Sequence, residues 1–353
     1  MCSIDKLDKN FAVRSDIGEE LIFYNCLETP FRVYGLIATE QGFIRMPEDI
    51  AKTVNENVSV LFRSTAGGRV RFCTDSPRIA IRSKMANIGR MPHFALTGTA
   101  GFDLYGDGRF LGTFVPPFDI QDGYESVIAL PGIRVREITI HFPLYSDVIS
   151  LEIGLCTGAS LLPASEYRTG SPVVFYGSSI TQGGCASRPG NCYENIISRS
   201  LGFDHINLGF SGGARGEETI ASYIGGLPMC AFVYDYDYNA PSVEHQRDTH
   251  QRMFQIIRAQ NPLLPVVMVS RPQPNPTAEE YERLGIVTAT WQKALESGDK
   301  NVYFVDGTMM LRQFGGDSGT VDACHPNDLG FMCMANAIGA ILEKILPFRS
   351  ENS

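Results

Sequence analysis

The sequence predicts an all-β sandwich of jelly-roll-like character over residues 1–165, followed by a doubly wound α/β domain with a five-stranded parallel sheet over residues 170–349. Three observations carry this. Short runs of alternating polarity recur between about residues 20 and 160, with glycine-rich turns between them. Beyond Ser171, continuous apolar runs replace them and alternate with helical patterns. At 353 residues and 44% hydrophobic, the chain is long for one ordinary domain and can bury two cores.

In the first half, period-two runs fall at 31–34, 58–62, 70–73, 79–84, 109–114, 126–130, 137–142 and 148–153. Gly67-Gly68, Gly106-Asp107-Gly108 and Pro131-Gly132 separate several of them. Short alternating strands at such spacing predict an antiparallel sandwich. In the second half, strands are expected at 173–176, 205–208, 231–234, 265–269 and 302–305. Helices are expected at 191–201, 216–225, 243–260, 278–297 and 328–346. Five βα repeats imply a parallel sheet covered on both faces by right-handed crossovers. Reactive groups then collect in the loops at the strand C-termini.

Net charge is −9 with no long basic run, which argues against nucleic acid and against an anionic membrane surface. No apolar run approaches the ~20 residues of a transmembrane helix. Met1–Asn10 is polar and lacks the apolar core of a signal peptide, so the chain as given reads as cytoplasmic, or as exported if a leader has been removed. Nine cysteines without CxxC or Cys/His zinc spacing read as reduced core thiols of a reducing compartment. Asn57-Val58-Ser59 fits a glycosylation acceptor, relevant in a glycosylating secretory pathway. Oligomeric state is left open.

The expected strand-end loops each carry chemistry. After the first comes Gly177-Ser178-Ser179-Ile180-Thr181-Gln182-Gly183-Gly184, where Ser179 is the candidate nucleophile and Ser178 its neighbour. After the second, Gly209-Phe210-Ser211-Gly212-Gly213-Ala214 can turn an N–H toward an anion. After the third, Asn239 offers a side-chain amide. After the fifth, Asp322 and His325 are spaced so that one turn can set the carboxylate on one imidazole nitrogen and free the other for base chemistry.

Ser, Gly, Asn and Asp-x-x-His in this order resemble the SGNH (GDSL-like) hydrolase superfamily over about residues 172 to 348. Gly101-Phe102-Asp103-Leu104-Tyr105 resembles the signature of the GxDLY β-sandwich that precedes such domains. The resemblance implies a flavodoxin-like α/β/α domain and a catalytic triad of Ser179, His325 and Asp322. It implies an oxyanion hole from the N–H groups of Ser179 and Gly212 and the Asn239 amide. No metal and no organic cofactor is required. The usual Gly-Asp-Ser-Leu stands here as Gly177-Ser178-Ser179-Ile180, and the usual Gly-x-Asn-Asp as Asp237-Tyr238-Asn239-Ala240.

Several residues have two readings. Arg188 and Arg271 could bind substrate or fix loops; Asp103 could face the site or cap a turn. Tyr238 could line the cleft, whereas Tyr234 and Tyr236 pack. Cys185 and Cys324 read as small apolar fillers. His93 and His141 read as structural, and His245 and His250 as solvated helix positions. The function expected is a serine esterase removing a small acyl group, plausibly acetyl, from a small-molecule or carbohydrate ester. The alternatives are an acyltransferase using the same triad and a non-catalytic carbohydrate-binding protein.

Overall fold

The structure, a computed structural model, describes residues 4–8, 11, 20–312 and 316–349; Cys2 and part of the polar stretch Met1–Asn10 lie outside them. One antiparallel sheet has the order Leu21–Asn25, Asp147–Cys156, Arg78–Ala86, Gly123–Ala129. The other runs Leu161–Leu162, Arg69–Thr74, Arg136–His141, Phe102–Gly106, Arg109–Phe114, with Arg32–Tyr34 also paired to Arg69–Thr74. Their facing sides share one core, where Ile79, Ile81 and Ile153 of the first sheet and Phe72, Leu104 and Ile140 of the second are fully buried.

One expected strand is a helix. Residues 58–62 read as an alternating run, yet Glu56–Leu61 is helical, with the Asn55 side chain accepting from the Val58 N–H at 3.0 Å. Val58 and Phe62, four residues apart, join the apolar cluster that holds Phe210 and Ala214. Packing on the second half thus overrides β propensity here. Asn57, the residue of the glycosylation pattern, lies in this helix and its amide donates to Ser211 O at 3.1 Å.

The parallel sheet has the order His205–Gly209, Val173–Gly177, Ala231–Asp235, Val266–Val269, Val302–Val305. This 2-1-3-4-5 order is flavodoxin-like. Period two along the first strand divides the faces. Val173 and Phe175 join Ile197, Phe331 and Ile338 of helices Tyr193–Leu201 and Asp328–Ile345. Val174 and Tyr176 join Ile220, Met253 and Val287 of helices Glu218–Gly225, Val243–Gln260 and Ala278–Glu296. His250, expected in solvent, is fully buried in that second layer, its ring stacked on Tyr234 at 4.5 Å. Among the described residues no helix is long and apolar enough to cross a membrane, and the eight described cysteines are unpaired.

The halves meet through the Gly101–Tyr105 motif. Asp103, in strand Phe102–Gly106, is fully buried rather than in a turn. Its carboxylate accepts from Arg188 at 2.7 Å, the Gly190 N–H at 2.8 Å and the Thr113 hydroxyl at 2.7 Å. Arg188 also donates to the Tyr105 hydroxyl and lies 3.7 Å from the Phe110 ring centroid. Both residues are thus occupied as a clamp on the loop after Ser179. Arg188→Met should strand the buried carboxylate and destabilise the fold by roughly 2–4 kcal/mol. Asp103→Asn/Arg188→Met should recover part of that loss in urea unfolding; a single variant as stable as wild type would refute the clamp.

Candidate active site

The strand order reverses at Val173–Gly177, and this first strand delivers Ser179. Its hydroxyl lies 2.9 Å from His325 Nε2. The Ser178 hydroxyl instead accepts from the Ile180 N–H, 3.1 Å away, which makes it a turn support. On the other side of the ring, His325 Nδ1 lies 2.8 Å from Asp322 Oδ2. That contact fixes the tautomer with Nδ1 protonated and Nε2 free to accept. Asp322 Oδ1 also accepts the backbone N–H groups of Cys324 and His325 at 3.1 and 2.7 Å. Burial alone would raise this carboxyl, but the His325 backbone and ring and the Cys324 N–H together hold it down at about 2.

This turn needs Ala323 in the left-handed region (φ 65°), and Cys185 beyond the serine loop shares that conformation (φ 73°). Two non-glycine residues so placed store strain of order 1 kcal/mol each. At Gly184, a Cβ would stand 2.9 Å from Ser179 O and 3.3 Å from His325 Cδ2. Glycine there lets the serine loop close against the imidazole.

The second and third loops adjoin. Ser211 N–H donates to Gln182 Oε1 at 2.9 Å, tying the glycine loop to the serine loop. The carbonyls of Gly209, Ser211, Gly212 and Gly213 accept from Arg45, Asn57, Arg215 and Asn55 side chains. Asn239 Oδ1 accepts from Ala214 N–H at 3.4 Å, which orients its NH2 away from that contact. Gly212 has φ 66°, and a Cβ there would stand 2.8 Å from Asn57 Nδ2.

Of the expected substrate residues, Arg271 is committed to the protein. It grips Asp237 through Nε at 3.0 Å and a terminal nitrogen at 2.8 Å, its N–H donates to the same carboxylate, and Glu280 takes the other terminal nitrogen at 3.1 Å. The guanidinium lies 4.3 Å from the Tyr238 ring centroid, and the Tyr238 hydroxyl has no partner among the described residues. His93, which no sequence spacing singled out, arrives from the sandwich half with Nε2 3.8 Å from Asp322 Oδ2. Tyr145, also from that half, donates to Ser179 O at 3.2 Å. Neither has a local signal, because each reaches the site only through the packing of the halves. His93, Cys185 and His325 have ligand atoms within 4.8 Å of one another, so a soft cation there would compete with Ser179 for the imidazole.

Behind the serine loop, the Asp235 carboxyl accepts from the Thr181 hydroxyl at 2.9 Å and the Tyr193 hydroxyl at 3.2 Å. Burial pushes it up to about 7. Burial does the same to Glu194, which accepts from Asn207 at 2.7 Å.

Residues 170–343 match the GDSL-like lipase/acylhydrolase family, and residues 21–161 match GxDLY, the N-terminus of SGNH-hydrolase-type esterases. Among curated proteins, no sequence matches the chain. A protein described as a GDSL-like lipase from Bacteroides ovatus is 28% identical, with a TM-score of 0.82 over 94% of this chain and all of its own. The salicylyl-acyltransferase SsfX3 of a tetracycline biosynthetic pathway is 20% identical, with a TM-score of 0.78 over the same shares. An acetyl xylan esterase from Butyrivibrio proteoclasticus is 12% identical, with a TM-score of 0.60 over 92% of this chain and 98% of its own.

A native carboxyl near 7 that ionises near 4 when unfolded binds its proton more tightly in the fold, so its stabilising contribution is full below about 4 and lost as pH rises through 7. Asp235→Asn keeps an oxygen for Thr181 and Tyr193 and removes this titration. The variant's melting temperature should fall less than wild type's between pH 5 and 8; parallel curves would show that Asp235 does not titrate there.

Proposed function

Residues 170–343 belong to the GDSL-like lipase/acylhydrolase family, which makes the chain an esterase-type hydrolase, and from that premise we propose that it is a serine esterase releasing a small acyl group, acetyl first among them, from a carbohydrate hydroxyl. The observation that carries this reading is the Ser179 hydroxyl 2.9 Å from an imidazole whose other nitrogen lies 2.8 Å from Asp322. In this mechanism His325 takes the Ser179 proton as the oxygen attacks the ester carbonyl. The N–H groups of Ser179 and Gly212 and the Asn239 amide hold the resulting oxyanion. The protonated imidazole passes its proton to the departing alcohol, and the acyl group remains on Ser179. Water, deprotonated by the same imidazole, then releases the acid. Residues 170–349 act as the catalytic domain and residues 1–165 wall the site.

Solved structures described as family two carbohydrate esterases, one of them in complex with cellohexaose, and as an acetyl xylan esterase share the fold and support a carbohydrate ester as the substrate class. SsfX3 shares it too and is described as an acyltransferase. The assay therefore includes acceptor alcohols.

With p-nitrophenyl acetate and acetylated xylo-oligosaccharides, Ser179→Ala should lower kcat/KM by roughly 10⁴-fold or more. Asn239→Ala should lower kcat about a hundredfold with KM little changed. Acetyl transfer to added alcohols that outruns hydrolysis would instead mark a transferase, and turnover in Ser179→Ala equal to wild type would end the serine mechanism. Asp322, held down at about 2, keeps its charge until pH falls through that value. Any loss of activity between pH 8 and 5 should accordingly not come from Asp322; His325→Ala should lower kcat/KM about as far as Ser179→Ala does, and turnover equal to wild type would remove His325 as base.

A further inference from the structure

A second polar chamber lies at the seam between the halves, toward the opposite end of the parallel sheet from Ser179. It borders the C-terminal end of helix Tyr193–Leu201, through Ser198, Arg199 and Gly202, and encloses about 230 Å³. The strand that follows, His205–Gly209, runs from beside this chamber to the glycine loop of the active site. Four steps of about 3.3 Å from His205 to Gly209 separate the two by on the order of 13 Å.

The chamber holds more positive charge than its carboxylates neutralise. Arg69 pairs with Asp204, Arg71 with Glu137, and Arg32 with Glu166. Arg199 and Arg168 remain. Arg199 donates to Asn195 O at 3.1 Å and lies 4.0 Å from the Tyr105 ring centroid; Arg168 donates to Leu201 O at 3.3 Å and lies 4.5 Å from the Phe348 centroid. Among the described residues no carboxylate pairs with either. Of the groups that line the chamber, four guanidiniums thus face two carboxylates, Glu137 and Glu166, in a chain whose net charge is −9.

Independently of charge, buried donors in the chamber wall lack acceptors. Arg71 is 6% exposed; one of its terminal nitrogens grips Glu137, and the other is buried with no partner among the described residues. His141 is 1% exposed, and among the described residues only the Asn195 side chain interacts with its ring nitrogens. Burial, then the charges of Arg199, Arg69 and Arg188, drive its imidazole well below its usual range. Buried donors left unmet are costly. Donors converging from several sides, with about two charges in excess, suit a tetrahedral dianion better than another cation or an apolar group.

We propose that this chamber binds a small tetrahedral oxyanion of the phosphate or sulfate class, held by Arg71, Arg199, Arg168 and His141. The anion joins strand Arg69–Thr74 of the sandwich to Arg168 of the connecting segment and to helix Tyr193–Leu201 of the α/β half. Its effect is on the cohesion of the halves and not on the chemistry at Ser179.

The test is calorimetry and thermal unfolding of the full chain in sodium phosphate and sodium sulfate, against sodium chloride at equal ionic strength, with glucose 6-phosphate as a further arm. One saturable site is expected, with a melting temperature that rises with phosphate or sulfate and not with chloride. Arg199→Gln, at a part-buried position without a carboxylate to strand, should fold normally and bind roughly tenfold more weakly; Arg168→Gln, which also leaves no carboxylate unpaired, should do the same. Ser179→Ala should bind as wild type does, which separates this site from the esterase reading. Binding of the free ions alone describes a closed chamber, and binding of glucose 6-phosphate as well describes one open to a sugar-borne phosphate. Equal shifts in chloride, unchanged affinity in Arg199→Gln, or loss of binding in Ser179→Ala would overturn the proposal, leaving the unmet donors to water.

Discussion

A loop that aims its N–H groups at a developing oxyanion must send its carbonyls elsewhere, and a part-buried carbonyl needs a donor. The Gly209–Ala214 loop, proposed above to face the oxyanion, meets that constraint mainly with borrowed side chains. Arg45, Asn55 and Asn57 lie 150 residues or more upstream and take the carbonyls of Gly209, Gly213 and Ser211. Arg215 alone comes from nearby. Tyr145 does a related service for the carbonyl of Ser179. The sandwich half therefore sets the backbone of the two loops that carry Ser179 and Gly212, and under the proposed mechanism Arg45 and Asn57 are positioning residues.

Charge is handled by a second arrangement, in which carboxylates near the strand ends are assigned different partners. Asp237 receives Arg271 in a fork, Asp103 receives Arg188, and Asp322 receives the imidazole and two backbone N–H groups. Asp235 has hydroxyl partners only, and burial raises it. Asp322 is thereby kept anionic, and Asp235 is eased toward its neutral form close behind the serine. A buried anion at Asp235 would add a second negative potential where an oxyanion must form. Its neutral form at mildly acid pH avoids that cost.

Much of this was legible in the sequence because the signals were local. Strands buried on both faces read as continuous apolar runs, and the five expected between 173 and 305 match the observed ones within a residue at each end. Ser179 and Asp322-x-x-His325 were legible because a turn and a three-residue spacing are short-range geometry. Residues 58–62 were misread because Val58, Val60 and Phe62, β-branched or aromatic at alternate positions, carry no trace of the surface they pack on; a helix cap at Asn55 and the cluster around Phe210 decided the outcome. His93, Tyr145 and Arg45 were illegible for the same reason. Each acts across the seam, and nothing within ten residues of any of them announces it. Arg271 and Asp103 were visible as chemistry but not as partners, since a guanidinium or carboxylate reads the same whether it meets substrate or protein.

The seam also resolves a difficulty intrinsic to the parallel sheet. His205–Gly209 is an edge strand, and an uncovered edge offers a row of unpaired carbonyls to other chains. On this strand the carbonyls of alternate residues are met by arginines from the sandwich half: Arg69 donates to His205 at 3.1 Å, and Arg45 to Asn207 at 3.4 Å and to Gly209. The period of two is that of a strand's outward carbonyls, so two side chains stand in for a sixth strand. Met46, Ala51, Val58 and Phe62 add apolar cover to the same side of the sheet, in one cluster with Leu208 and Phe210. Removing the sandwich would at once open an edge, expose a core face and unseat the loop that faces the oxyanion. The two halves are therefore joined by residues that also support the loops around Ser179.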